Sequence, residues 1–275
     1  MSQVLALTSA VLYGLGDFLG GVATRRSSIW TVTAWSQTLG LGALAIALTV
    51  VPAEVVTAAD ILWGAVAGII AFISLATLYS TLASGSMTIV APIAGATTAA
   101  VPVIVDLSRG AELSLRHWVG IGLALAAVLL IGFDPAGKST NVSMIGRAIF
   151  AGATFGMFFI ALSQTSEASG LWPLAGARGI TIPLAFALAG FKRVASSPQG
   201  RDLGIIAALG NLDMAANVTV ILALQRGPLG ISAVLAGLYP AFTALSAVIV
   251  LRERPRPGQS VGIVLAMGAI FALVL

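Results

Sequence analysis

Four ionisable side chains stand inside long apolar runs of this chain: Asp17, Asp106, Arg178 and Asp213. A charge at the centre of a membrane helix costs at least about 2.5–3.5 kcal/mol, so each is a candidate for work on a substrate or a proton. Asp213 lies in GNLDMAANVTV, with Asn217 four residues on. That spacing puts the two on one helix face. A carboxylate beside an amide on a wet cavity can hold a cationic amine or carry a proton; the plainer reading is a local pair that ties helices together. Asp17 lies in LYGLGDFLGG, one turn after Tyr13. It is either a substrate or proton ligand, or an acid paired with Arg25 or Arg26 near a helix end. Arg178 is the one base well inside a run, and it either neutralises Asp213 or Asp17 or grips a substrate carboxylate. Asp106, three residues before Arg109, reads as a surface ion pair.

The three tyrosines, Tyr13, Tyr79 and Tyr239, also fall inside apolar runs, as do Gln37 and Gln164. Groups of this kind give direction to a pocket that is otherwise apolar. Other chemistry has little to work with. The chain has no Cys and one His, His117, so neither a thiolate nor a histidine metal cluster can form and no cofactor is expected. Gly132 to Ser139 spells the phosphate-loop pattern GxxxxGK[ST]. It follows a membrane run rather than a strand and contains a proline, so nucleotide binding is not expected there. The chain is therefore not expected to be an enzyme, and its transport would be driven by a gradient.

The elements that must position these residues follow from composition. Of 275 residues, 58% are hydrophobic and 9% charged, with mean hydropathy +1.03. A soluble domain carries about a quarter of its residues charged. Lipid is therefore the expected solvent, in an integral membrane protein placed in the bacterial inner membrane. The net charge of +4 belongs to short loops and reports orientation, not nucleic-acid binding. The amino terminus lacks a basic leader and reads as a first span. Runs long enough for a hydrocarbon core of about 30 Å give ten spans, near 2–22, 31–51, 61–82, 88–107, 117–133, 144–164, 172–190, 203–223, 229–251 and 260–275. Trp30, Trp118 and Trp172 stand near span ends as interfacial anchors.

The spans repeat. Gly85/Gly227, Ile89/Ile231, Gly95/Gly237, Gly120/Gly262 and Ile121/Ile263 share one offset of 142 residues, as do Gly14/Gly156, Asp60/Asp202, Gly68/Gly210 and Thr77/Thr219. The chain divides into a first unit, 1–133, a linker, 134–142, and a second unit, 143–275. Five spans per unit is odd, so the second unit enters the membrane upside down. The expected fold is an all-α membrane protein: ten transmembrane helices as two inverted five-helix repeats, with the site between the repeats near the midplane. Arg25, Arg26, Lys138, Arg147, Lys192, Arg193, Arg201, Arg252, Arg254 and Arg256 lie on one side, against Arg109, Arg116 and Arg226 on the other. The positive-inside rule makes the first side cytoplasmic and puts both termini outside.

The turns Arg252-Glu253-Arg254-Pro255 and Ala111-Glu112-Leu113-Ser114, followed by Gly262-Ile263 and Gly120-Ile121, resemble those of the EamA-type transporters of the drug/metabolite transporter superfamily. The resemblance covers the whole chain. It departs at the first turn, which lacks an Arg after Glu112, and at Pro255 and Pro257 in the second. It implies a secondary transporter of small metabolites or drugs working by alternating access, as a monomer or homodimer; export by proton exchange is one mode, with Asp213 ahead of Asp17 as the carboxylate that alternately holds proton and substrate, and uptake or facilitated diffusion are others. The family usually keeps both termini in the cytoplasm, opposite to the charge rule. A membrane-embedded enzyme and a passive channel are the alternatives.

Overall fold

Apolar runs without strand alternation fold here as helices, and no strand occurs among the described residues. A computed structural model describes residues 1–24, 27–84, 87–132, 142–194, 197–198, 200, 202–250 and 257–274, without the side chains of 79–80, 82–84, 87–92, 131–132, 244, 247–248 and 274. Tyr79, the turn from Arg252 to Pro255, the phosphate-loop match after Gly132 and the paired bases Arg25 and Arg26 thus lie outside what is described.

The first repeat supplies α1 (Ser2–Ala23), α2 (Ile29–Leu39), α3 (Leu41–Val50), α4 (Ala58–Ser84), α5 (Met87–Ser108) and α6 (Leu115–Gly132). The second supplies α7 (Val142–Leu162), α8 (Trp172–Phe191), α9 (Leu203–Arg226), α10 (Leu229–Ala236), α11 (Tyr239–Val250) and α12 (Pro257–Val274). Six runs have the length and hydropathy of a membrane span: Ser2–Ala23, Ile29–Val50, Ala58–Leu78, Val142–Leu162, Trp172–Phe191 and Leu203–Arg226. Four apolar helices are shorter among the described residues: Ile93–Ser108, Leu115–Leu130, Leu229–Thr243 and Pro257–Leu273. Each expected run falls on one of these ten.

Two runs are interrupted. Gly40, between α2 and α3, keeps right-handed helical angles (φ −65°, ψ −16°), so the run stays nearly straight. The break between α10 and α11 has a chemical cause. Pro240 has no N–H to give to the carbonyl of Ala236, four residues back. The Ala241 and Leu238 N–H groups instead reach back three residues, to Leu238 and Leu235. In lipid every polar group must find a partner inside the protein. Hydroxyls comply by donating to the preceding helical turn, as Thr8, Ser74, Thr97, Thr154 and Ser246 do. Large apolar side chains such as Ile46, Leu62, Phe150, Ile249, Met267 and Phe271 stay exposed, as lipid-facing residues should.

The helices pack mainly across the repeats. α1 lies on α9 and α11, and α7 lies on α4 and α5. α4 packs on α8 and α9 on α2, while α6 meets α12 and α5 meets α10. Shifting residue numbers by 142 turns each of these pairs into another of them or into itself. The 142-residue match in sequence is thus also a match in contacts.

Glycines permit the closest crossings. A Cβ on Gly210 would run into the Ser36 carbonyl, and a Cβ on its counterpart Gly68 would sit 2.9 Å from the Ala177 backbone. Gly210→Ala is therefore expected to lower the unfolding temperature in detergent, by overpacking worth about 1–3 kcal/mol. Gly42→Ala, with open space at that position, should leave it unchanged or slightly raised.

Candidate functional site

The seam between α1 and α9 carries most of the candidate chemistry. Small residues bring the helices together: a Cβ on Gly16 would lie 3.9 Å from the backbone nitrogen of Asp213 and 3.7 Å from Leu209. Gly14 does the same against α11, where a Cβ would meet Phe242 and the Tyr239 carbonyl within 2.8 Å. Tyr13, one residue before Gly14, then sets its ring edge-on to Tyr239, with centroids 6.4 Å apart. Asp17, one residue after Gly16, lies within electrostatic range of Asp213, and Tyr13 within range of both.

Arg178 completes the group from α8. Its Nη2 donates to Asp213 Oδ2 at 2.7 Å. The arginine side chain is 12% exposed and that of Asp213 36%, so the pair has a closed side and an open side. Of the two partners the sequence left open for Arg178, the structure selects Asp213. Asp17 is exposed and has no ion-pair partner among the described residues. The cluster has two carboxyl groups and one guanidinium, and Asp17 is the carboxyl group without a base among the described residues.

Three of these residues come from the middle of their runs, and Asp17 stands one turn nearer the end of α1 than Tyr13. Tyr13 and Asp213 are near the centres of α1 and α9, and Tyr239 opens α11 at the break halfway along Leu229–Val250. A group at mid-helix is the farthest from both membrane faces, where Coulombic forces are least screened by water.

Other predicted residues sit at or beyond the edge of this group. Gln37, buried on α2, accepts from the Thr181 hydroxyl, one turn beyond Arg178 on α8. Asn217 donates to the Asp213 carbonyl at 2.7 Å, back along its own helix, and is buried. Its amide fixes the backbone at Asp213. Gln164 lies past the end of α7 and donates to the Ile160 carbonyl and the Ser163 hydroxyl, both on its own segment, and among the described residues it makes no bond to the central charges.

Asp106 differs from expectation. Its Oδ2 accepts from the Gly230 N–H at 2.6 Å, which fastens α5 to the start of α10. The first N–H groups of a helix have no partner within it, and a carboxylate there also meets the positive end of the helix dipole. That interaction holds Asp106 between the repeats. Asp60 and Asp202 were visible in the sequence only as one matching pair. Both are buried and bonded across the repeats. The signal that could have marked Asp60 was Thr57 three residues earlier, a capping pattern at the start of a helix.

The profile of the EamA-like transporter family matches residues 1–133 and 141–275, one copy on each repeat. The chain belongs to the EamA-like transporter family. It is accordingly an integral membrane protein of a transporter family with a two-repeat helical architecture. A crystal structure with 16% sequence identity superposes at a TM-score of 0.81, covering 100% of this chain and 98% of that one. At that identity the likeness is one of fold. No curated protein matches the chain.

Proposed function

We propose that the protein is a secondary transporter that exports small metabolites or drugs by alternating access, exchanging a proton for a small cationic amine at the central site. The observation that carries this reading is the meeting of Asp17, Tyr13, Tyr239 and the Arg178–Asp213 pair between the two repeats. The pair neutralises Asp213, so the carboxylate free to exchange proton and substrate is Asp17. An ammonium on Asp17 would stand close to the Tyr13 phenol, one turn away on α1 and edge-on to Tyr239, a favourable setting for a cation. Gln37 and Asn217 shape the surroundings of this group in the proposed site. All ten apolar runs cross the bilayer in this reading, as two inverted units, 1–133 and 143–275, joined by 134–142. The cross-repeat pairing of helices supports that arrangement.

The experiment is flux in proteoliposomes under an imposed pH gradient, with cationic, zwitterionic and neutral amines compared. Gradient-dependent movement of the cations alone is the expected outcome; equal movement of all three without a gradient would mean a passive channel. Orientation has its own test. A reporter fused after Leu275 is expected to be active outside the cytoplasm, the side the Lys/Arg distribution assigns to it. Activity in the cytoplasm would show that the charge rule fails for this chain.

A further inference from the structure

Among the described residues two buried carboxylates remain outside the central site, and they occupy equivalent places. Asp60 is 4% exposed and Asp202 3%. They are 142 residues apart, at the start of α4 and just before α9. Asp60 Oδ1 accepts from the Ser166 N–H at 2.8 Å, and its Oδ2 accepts from the Thr57 N–H at 3.1 Å and hydroxyl at 2.6 Å. Ser166 follows α7, the first helix of the other repeat. Asp202 Oδ2 accepts from the Ser27 hydroxyl at 3.3 Å, and Ser27 follows α1, again the first helix of the other repeat. Each repeat thus uses the same aspartate to hold the chain leaving the other repeat's first helix.

The two contacts lie at opposite ends of the molecule. The Ser166 segment is also held by the far end of α9. There Gln225 donates to Thr165 and to the carbonyls of Ser166 and Gly170, and Arg226 pairs with Glu167 at 2.7 Å. Asp202 stands at the near end of the same helix. Twenty-four residues of α9 span about 36 Å, enough to cross the hydrocarbon core. Asp213 lies between the two ends. A small cavity of about 280 Å³, lined by Val51, Pro52, Glu54, Glu167, Ala168 and Arg226, marks the outer surface at the Asp60 end.

We propose that Asp60 and Asp202 are the latches of two gates, one at each membrane face. They are positioning residues that act through the α4–α7 and α1–α9 seams to decide from which face the central carboxylates are reached. This rests on the transporter reading above. Its chemistry is simple: a carboxylate takes a backbone or hydroxyl hydrogen from the opposite repeat, and the gate opens when that hydrogen goes to water.

Face-specific labelling tests it without any substrate. The natural chain has no cysteine, so Asp17→Cys provides one thiol at the exposed central position. In membrane vesicles of known sidedness, Asp60→Asn is expected to raise labelling by an impermeant maleimide from the face where α4 begins. Asp202→Asn should raise it from the opposite face. Each increase should be about tenfold, the scale of losing a hydrogen bond to a charged group. Ser27→Ala removes the cross-repeat donor of Asp202, keeps the carboxylate, and should give the Asp202→Asn pattern more weakly; Thr57→Ala removes only a donor within Asp60's own repeat and should leave labelling unchanged. Labelling that is unchanged in the Asn variants, or that rises from one common face in both, would overturn the latches. Flux by the unaltered protein is measured in parallel. If it is absent the transporter reading fails, whatever the labelling shows; if it is present and labelling lacks sidedness, only the latches fail.

Discussion

Asp17→Asn is expected to abolish gradient-driven exchange and to weaken binding of a cationic amine by roughly tenfold to a hundredfold, the loss of one charge-assisted contact. The argument runs through Arg178. Its guanidinium is already bonded to Asp213 at 2.7 Å, so the pair is neutral as a unit. Asp17 has no such partner among the described residues and is exposed. A cation entering the site gains most from the carboxylate that no base compensates. A proton competes for the same oxygen atoms, which makes the two mutually exclusive occupants of one group. Asp17→Asn keeps the shape and polarity of the side chain and removes its charge, so its folding should be close to that of the unaltered protein. Flux and thermal shift in detergent, measured on one preparation, separate the two effects. Asp17→Asn with undiminished proton-driven flux would remove Asp17 from the mechanism and return the role to Asp213.

Arg178→Ala carries the largest expected cost in stability. It leaves Asp213 between α1, α8 and α9 with no other base paired to it among the described residues, and breaking a buried ion pair from one side costs about 3–5 kcal/mol. The open side of Asp213 lets water share the burden, so the expected loss is at the low end, about 3 kcal/mol. The double variant Arg178→Met, Asp213→Leu replaces both charges by apolar groups of similar size. It should recover most of the unfolding temperature, because an apolar pair in place of a buried ion pair is often neutral or stabilising. Transport should stay impaired in the double variant, since the charge that sets the environment of Asp17 is gone. Recovered stability together with recovered transport would make the pair a purely structural tie.

Much of the molecule was legible in the chain, for identifiable reasons. Apolar runs report spans because lipid admits few charges, and the runs predicted near 2–22, 144–164, 172–190 and 203–223 lie within about two or three residues of α1, α7, α8 and α9 at most ends. Partial misses have local causes. The run 229–251 hid a break because Pro240 removes one hydrogen bond in an otherwise apolar stretch. Asp106 was misread because hydropathy cannot say whose N–H will be nearest when a helix ends; the Gly230 N–H lies 124 positions away. Asn217 was placed on the same face as Asp213 correctly, yet its amide turned back to its own helix.

The sequence alone determined the solvent, the helical class and the duplication, since each depends only on residue type and spacing along the chain. The family follows from the same source, because its profile reads residues in order. It also determined which residues were candidates, because a charge inside an apolar run is conspicuous without any coordinates. Only the tertiary structure decided how those charges are matched. Arg178 could neutralise Asp17 or Asp213, and the packing of the helices across the repeats set its guanidinium 2.7 Å from Asp213. The same packing turned the matching aspartates, Asp60 and Asp202, into contacts at the two ends of α9. The physical reason is range: hydropathy acts residue by residue, while an ion pair or a hydrogen bond acts over about 3 Å between helices that the chain order leaves far apart.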